Sequence, residues 1–225
     1  MGVSYRPLDA AVVRTGSERA TLVRRTYLLI LASIFVTMGG VWYSLNTPAV
    51  FNWVVRHPIL TLLGMFLPLL AALRLRQSFP INIGLVFLFT FAEGIMISPL
   101  IYYYAQTQPG LIGQAAMLTG STFAVLTVYA WVSRRDFSAW GGFFTIGLWV
   151  LIATSLLNLF FRNATASLWI AGATVFIFGG LLVWDTWRLR NQFGPNDYVQ
   201  AAVAIYLDLL NMFLAILSLL GGRRE

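Results

Sequence analysis

The chain has no cysteine, one histidine and only eight acidic residues among 225, and every one of its fifteen basic residues is an arginine, so lysine is absent as well. Without cysteine there is no disulfide, no thiolate metal site and no thiol nucleophile, and the redox state of the compartment leaves no mark on the sequence. Charged residues make up 10% against 59% hydrophobic, and mean hydropathy is +0.77. That is too little charge to cover the surface of a water-soluble domain. The formal net charge of +7 reflects the shortage of acids. Its arginines sit at the ends of apolar runs and form no stripe, which suits anionic lipid headgroups and excludes nucleic acid as a partner. No Gly-x-Ser-x-Gly, His-Glu-x-x-His or Walker sequence occurs. Hydrolase, metalloprotease and ATPase readings therefore have no support, and the expectation is a protein that is not an enzyme.

What is present is apolar sequence in long runs. Seven stretches of roughly 20 residues match the length that crosses a hydrocarbon core of about 30 Å: 26–45, 52–73, 81–104, 111–132, 137–161, 166–187 and 199–220. None shows the alternation of a barrel strand, so the fold class is all-α, a polytopic membrane protein of seven helices. Connections of about 4 to 11 residues make sequential helices antiparallel neighbours. The stretch 52–73 is the weakest, because Arg56, His57 and Pro58 shorten its charge-free part and Pro68 predicts a kink. Residues 1–25 carry five arginines and no apolar core, and read as a tail rather than a signal peptide or span. The organisation expected is thus a tail over 1–25, a membrane domain over 26–220 and a short tail over 221–225.

Arginine placement sets the direction. Arg6, Arg14, Arg19, Arg24, Arg25, Arg74, Arg76, Arg134, Arg135, Arg188 and Arg190 fall on one side, and Arg56, Arg162, Arg223 and Arg224 on the other. The positive-inside rule then places the N-terminus in the cytoplasm and the C-terminus outside. The tryptophans and tyrosines near span ends read as an interfacial belt. Gly39-Gly40, Gly141-Gly142 and Gly179-Gly180 predict close helix packing, and Asn158 and Asn211 predict interhelical hydrogen bonds. His57 has no partner pattern for a metal and reads as an interfacial residue.

Three acids stand where water does not solvate them. Glu93 is near the middle of the third span, Asp208 about nine residues into the seventh, and Asp185 just inside the end of the sixth. A carboxylate at such depth costs on the order of 3 kcal/mol, so it faces a cavity or a partner. The sixth and seventh spans form a hairpin turning near 192–196, which brings Asp185 and Asp208 to the same half of adjacent helices. Two carboxyls in one poorly solvated site repel as a doubly charged pair, so they can hold one proton between them. Arg188, three residues after Asp185, lies on the same helical side. The alternatives are structural: Asp185 as a solvated ion pair with Arg188 and Arg190 at a helix end, and Glu93 as a neutral carboxyl bonded to backbone.

Absence of lysine removes the Schiff base of a retinal protein, and the acids lack the Gly-x-Gly-Asp signature of intramembrane aspartyl proteases. Other residues match a family. Ser133-Arg134-Arg135-Asp136-Phe137-Ser138 followed by Gly141-Gly142-Phe143, Trp184-Asp185-Thr186, and the segment from Ala204 to Leu214, AIYLDLLNMFL, resemble in order the motifs of the transmembrane Bax inhibitor motif family. The last is the most specific, and the correspondence covers roughly 24–222. The resemblance implies a bundle whose last helix is surrounded by the others and a pH-sensitive calcium leak. It implies that Asp185 and Asp208 are the proton sensor, and that an arginine at the end of the second helix, Arg76 or otherwise Arg74, competes for one of them. Trp184 and Trp187 depart from the family's tyrosine and glutamine, and bear on access to Asp185. Glu93 is a candidate pore acid on depth alone.

The expected function is therefore a passive, low-throughput cation leak gated by a proton-sharing aspartate pair. Calcium is the permeant ion, because hard divalent cations take carboxylate and carbonyl oxygen. No cofactor and no tightly bound metal are expected. The rival is a membrane interaction protein that regulates a membrane protease or a stress-response partner without conducting ions. Absence of lysine points to a GC-rich bacterial source and so to a bacterial inner (plasma) membrane.

Overall fold

A computed structural model describes residues 16–75 and 78–222. Eight helices follow one another: α1 Gly16–Asn46, α2 Pro48–Arg56, α3 Pro58–Arg74, α4 Ile81–Thr107, α5 Leu111–Val132, α6 Trp140–Phe161, α7 Ala164–Asn191 and α8 Tyr198–Gly222. Among the described residues there is no strand. Six helices are long and apolar enough to cross a membrane, and α2 with α3 makes a seventh if that pair, bent by 104°, is counted as one span.

That bend corrects the reading of 52–73 as a single helix. The residue before a proline is pushed out of the helical region, and His57 has φ −129° and ψ 54°. Pro58 then starts α3 from its first turn, where its missing N–H costs nothing. Pro68, where a kink was expected, lies inside α3, which continues to Arg74. At 17 residues, α3 is about 26 Å long, close to one hydrocarbon thickness. A second difference lies at the start. Helix α1 begins at Gly16, inside the stretch read as a tail, with Leu22 only 1% exposed. Membrane length did not require that extension; packing of Leu22 into the main core provides it.

The last helix is central. α8 packs against α1, α3, α4, α5 and α7, and its Val199, Ala202, Ile205, Tyr206 and Met212 form one core cluster with Leu22, Leu29, Val86, Phe89, Leu182 and Leu189. By contrast α6 packs against α7 alone among the helices described. Its Phe143, Ile146, Trp149 and Phe160 stand exposed, a surface that matches lipid and would be a liability in water.

Small residues set the closest crossings. A Cβ at Gly40 would run into the carbonyl of Phe91, and one at Gly94 into the carbonyl of Thr37, so α1 and α4 meet backbone to backbone. Gly141 lies under the Trp184 ring and Gly180 under the Phe144 ring, which seats α6 on α7. Only one member of two of the expected glycine pairs is used in this way, since Gly39 and Gly142 face open space.

Candidate functional site

The site forms where α7 turns back into α8. The turn is closed by the Gly194 N–H, which donates to Asp197 Oδ2 at 2.8 Å, and by the Phe193 N–H, which donates to the Arg188 carbonyl at 3.0 Å. The helices leave it antiparallel and in contact. Asp185 and Asp208 therefore face each other, 5% and 4% exposed, with their carboxyl groups within hydrogen-bonding reach. Asp208 Oδ2 is buried and receives no donor among the described residues. Two carboxylates offer only acceptors, so a hydrogen bond between them requires a proton on one. The arrangement can hold one such proton, and that proton would supply the missing donor.

Arg188 is the guanidinium at this pair. It donates to Asp185 Oδ1 at 2.8 Å, and its guanidinium carbon stands over the rings of Trp184, at 4.4 Å, and Phe193, at 4.5 Å. Contact with two aromatic faces fixes the cation while leaving an N–H for the carboxylate. Trp184, noted as a departure from the family pattern, thus serves as one wall of the arginine's slot. Arg190 points elsewhere: it donates to the carbonyls of Ala130, Trp131 and Ser133 at 3.3, 2.7 and 3.0 Å, closing the C-terminal end of α5. The solvated ion pair considered for Asp185 is half right. The partner is Arg188, but the aspartate is buried and a second carboxyl sits against it.

Of the two arginines expected to compete from the second helix, only Arg74 can be placed. Arg74 is exposed in the last turn of α3 and makes no ion pair with either aspartate among the described residues. Arg76 lies outside the described residues. The competing cation was nevertheless legible, because Arg188 stands one helical turn after Asp185.

Glu93 belongs to a different place. It is 7% exposed, in contact with the Tyr206 hydroxyl, which shares a hydrogen bond of 2.6 Å with Thr37 Oγ1. Thr37 in turn bonds the Ser33 carbonyl at 2.9 Å, and Glu93 Oε2 is buried without a donor among the described residues. Tyr206 and Asp208 are two residues apart on α8, about 200° around its axis, so Glu93 lies across α8 from the aspartate pair. The three acids do not converge, and no group of three His, Asp or Glu side chains does so among the described residues.

Asn158 bonds across helices as expected, Nδ2 to Ser167 Oγ at 2.8 Å, whereas Asn211 turns back to the Leu207 carbonyl of its own helix. His57 is exposed at the corner between α2 and α3 and packs on Trp53 at 4.5 Å. The hydroxyl contacts of α1 escaped notice: Thr37 to Tyr206, Ser44 to Ser98 at 2.7 Å, and Tyr27 to Trp131 at 3.4 Å. A signal was available, since Thr26, Ser33, Thr37, Gly40 and Ser44 recur at helical spacing and are all buried. Small and hydroxyl residues on one stripe of an apolar helix mark its packing face.

The sequence matches the family model described as Inhibitor of apoptosis-promoting Bax1 over residues 19–225. Bax inhibitor 1 of Schizosaccharomyces pombe is 32% identical over 211 residues, which span 91% of this chain and 77% of that protein. The Golgi anti-apoptotic protein of vaccinia virus (strain Lister) is 32% identical over 205 residues, 90% of this chain and 85% of the viral one. An uncharacterised protein of Campylobacter jejuni is 32% identical over 208 residues, 91% of this chain and 89% of its own length.

Proposed function

This chain belongs to the family of inhibitors of apoptosis-promoting Bax1, and from that premise we propose that it is a pH-sensitive calcium leak channel gated by Asp185 and Asp208. The observation that carries the reading is the buried contact between the two carboxyls, with one oxygen of Asp208 left without a donor among the described residues. With one proton in the site, Asp185 and Arg188 form a neutral pair beside a neutral Asp208. Loss of that proton leaves an unbalanced negative charge in a place that water does not reach, and the two carboxyls then repel. The contact between α7 and α8 is therefore favoured at acid pH and loosened as pH rises. A packed helix pair with two arrangements is the kind of element that a single protonation can bias. Calcium is the permeant ion in this reading, because hard divalent cations take carboxylate and carbonyl oxygen.

The arginine distribution supports a cytoplasmic N-terminus and an external C-terminus, and a bacterial relative supports the plasma membrane of a bacterium as the address. The competing arginine in this reading is Arg188, with Arg76 a second candidate. One observation favours the alternative of a non-conducting regulator of a membrane protease or stress-response partner: the viral relative is named as an anti-apoptotic protein, a description that requires no conduction.

Calcium entry into proteoliposomes across a pH series tests the proposal. Asp208→Asn and Asp185→Asn are expected to flatten the pH dependence, while Glu93→Gln, on the far side of α8, leaves it in place. Unchanged entry and an unchanged profile in both asparagine variants would reject the sensor. Absence of flux from the unaltered protein, with a stoichiometric membrane partner in a pull-down, would establish the regulator instead.

A further inference from the structure

The two helices that flank α7, α6 and α8, do not pack on each other, and the gap between them is polar. Toward the end of the bundle opposite the α7–α8 turn it forms a cleft of about 270 Å³, lined by Ser155, Asn158, Ser167, Thr174, Asn211 and Ser218 among a few apolar residues. That is room for several waters. Six hydroxyl and amide side chains gathered at membrane depth are poorly matched to lipid tails. Part of their hydrogen-bonding capacity is spent on the protein. Thr174 Oγ1 donates to the Ile170 carbonyl at 2.8 Å, Ser167 Oγ to the Asn163 carbonyl at 3.1 Å, and Asn211 Nδ2 to the Leu207 carbonyl at 2.8 Å. The lining therefore presents hydroxyl and amide groups suited to water, including oxygen lone pairs, the donor type that hard cations accept in exchange for water.

The cleft also has a direction. Asn211, Leu214, Ala215 and Ser218 follow one face of α8 at helical spacing, and the preceding position on that face is Asp208, one turn away and about 4.5 Å along the axis. Asp208 is 4% exposed, so the cleft stops one turn short of it. We propose that the polar cleft between α6, α7 and α8 is a hydrated vestibule that delivers divalent cations to Asp208 from the side opposite the α7–α8 turn. This rests on the leak reading, and it assigns an entrance where that reading assigns only a gate.

The absence of cysteine makes the test direct, because single cysteines can be placed in an otherwise unreactive chain. Ser155→Cys, Asn211→Cys and Ser218→Cys are compared with Leu157→Cys, which lies at the depth of Ser155 and is 57% exposed among lipid-facing residues. A membrane-impermeant, cationic thiol reagent is applied to proteoliposomes from each face in turn. Thiols react as thiolates, which form in water and not in lipid. The three cleft cysteines are expected to react about tenfold faster than Leu157→Cys or more, from one face only, with calcium slowing the reaction and the attached cation cutting calcium flux. Ser155→Cys and Ser218→Cys keep the test open should Asn211→Cys fail to fold. Cleft cysteines as inert as Leu157→Cys, or labelled without effect on a measurable flux, would overturn the vestibule and leave the leak standing. A parent protein with no flux would overturn both.

Discussion

Arg188 is the side chain on which the chemistry of the pair depends, because it decides how much negative charge the site can hold. Its guanidinium touches Asp185 and is gripped by Trp184 and Phe193. A lysine there would keep the charge and lose the planar group that stands over two rings. Arg188→Gln leaves Asp185 buried beside a second carboxyl with no cation among the described residues, and the expected loss is about 3 kcal/mol, somewhat tempered because the arginine is 21% exposed. Thermal unfolding in detergent measures it, and Asp185→Asn combined with Arg188→Gln should restore most of the loss, since the stranded charge is then gone. A double variant no better than the arginine variant alone would show that Arg188 acts through packing. The identity of the two aspartates was legible from their depth in apolar sequence. Their contact was legible only as a consequence of the hairpin. That Arg188 faces them was legible from its i, i+3 spacing to Asp185, whereas its contacts with the rings of Trp184 and Phe193 were decided by the fold.

At the scale of helices, the controlling features are positions where a side chain is missing. α1 and α4 approach so closely at Gly40 and Gly94 that each occupies the space a Cβ would take against the other's carbonyls. Gly94→Val and Gly40→Val should each cost on the order of 3 kcal/mol or more, because the clash is with backbone and only movement of a whole helix relieves it. Gly39→Val, facing open space, is the control expected to stay within about 1 kcal/mol. Thermal unfolding of the three variants separates them, and equal losses would show that the crossing is not set by these contacts. The sequence offered glycine pairs at three places without saying which member meets a neighbour, since that depends on how each helix is rotated in the bundle. It also offered one continuous apolar run at 52–73. The turn at His57 and Pro58 follows from local backbone sterics, and it was hidden because hydropathy averages over the very residues that break the helix.

For the molecule as a whole, burial falls from the centre outward: 44% of the most apolar window of α8 is buried, against 11% for α6. Helix stability should follow the same order. Amide exchange in α6 is expected to be faster than in α8, because α6 is held through α7 alone whereas α8 opens only when the bundle does. Equal protection of both in hydrogen–deuterium exchange would contradict this. Composition determined the solvent and the fold class, because a chain so poor in charge satisfies its backbone in lipid only as helices, and the apolar run at 111–132 gave the bounds of α5. Its motifs named the family, and the depth of Asp185, Asp208 and Glu93 named the unusual acids. Tertiary structure decided what those acids meet: α8 runs through the centre and presents opposite faces to different helices, so Asp208 finds Asp185 while Glu93 finds Tyr206. Helical periodicity says which residues share a face. The order in which helices surround α8 comes from many packing contacts at once, so only the folded bundle could say which face each acid meets.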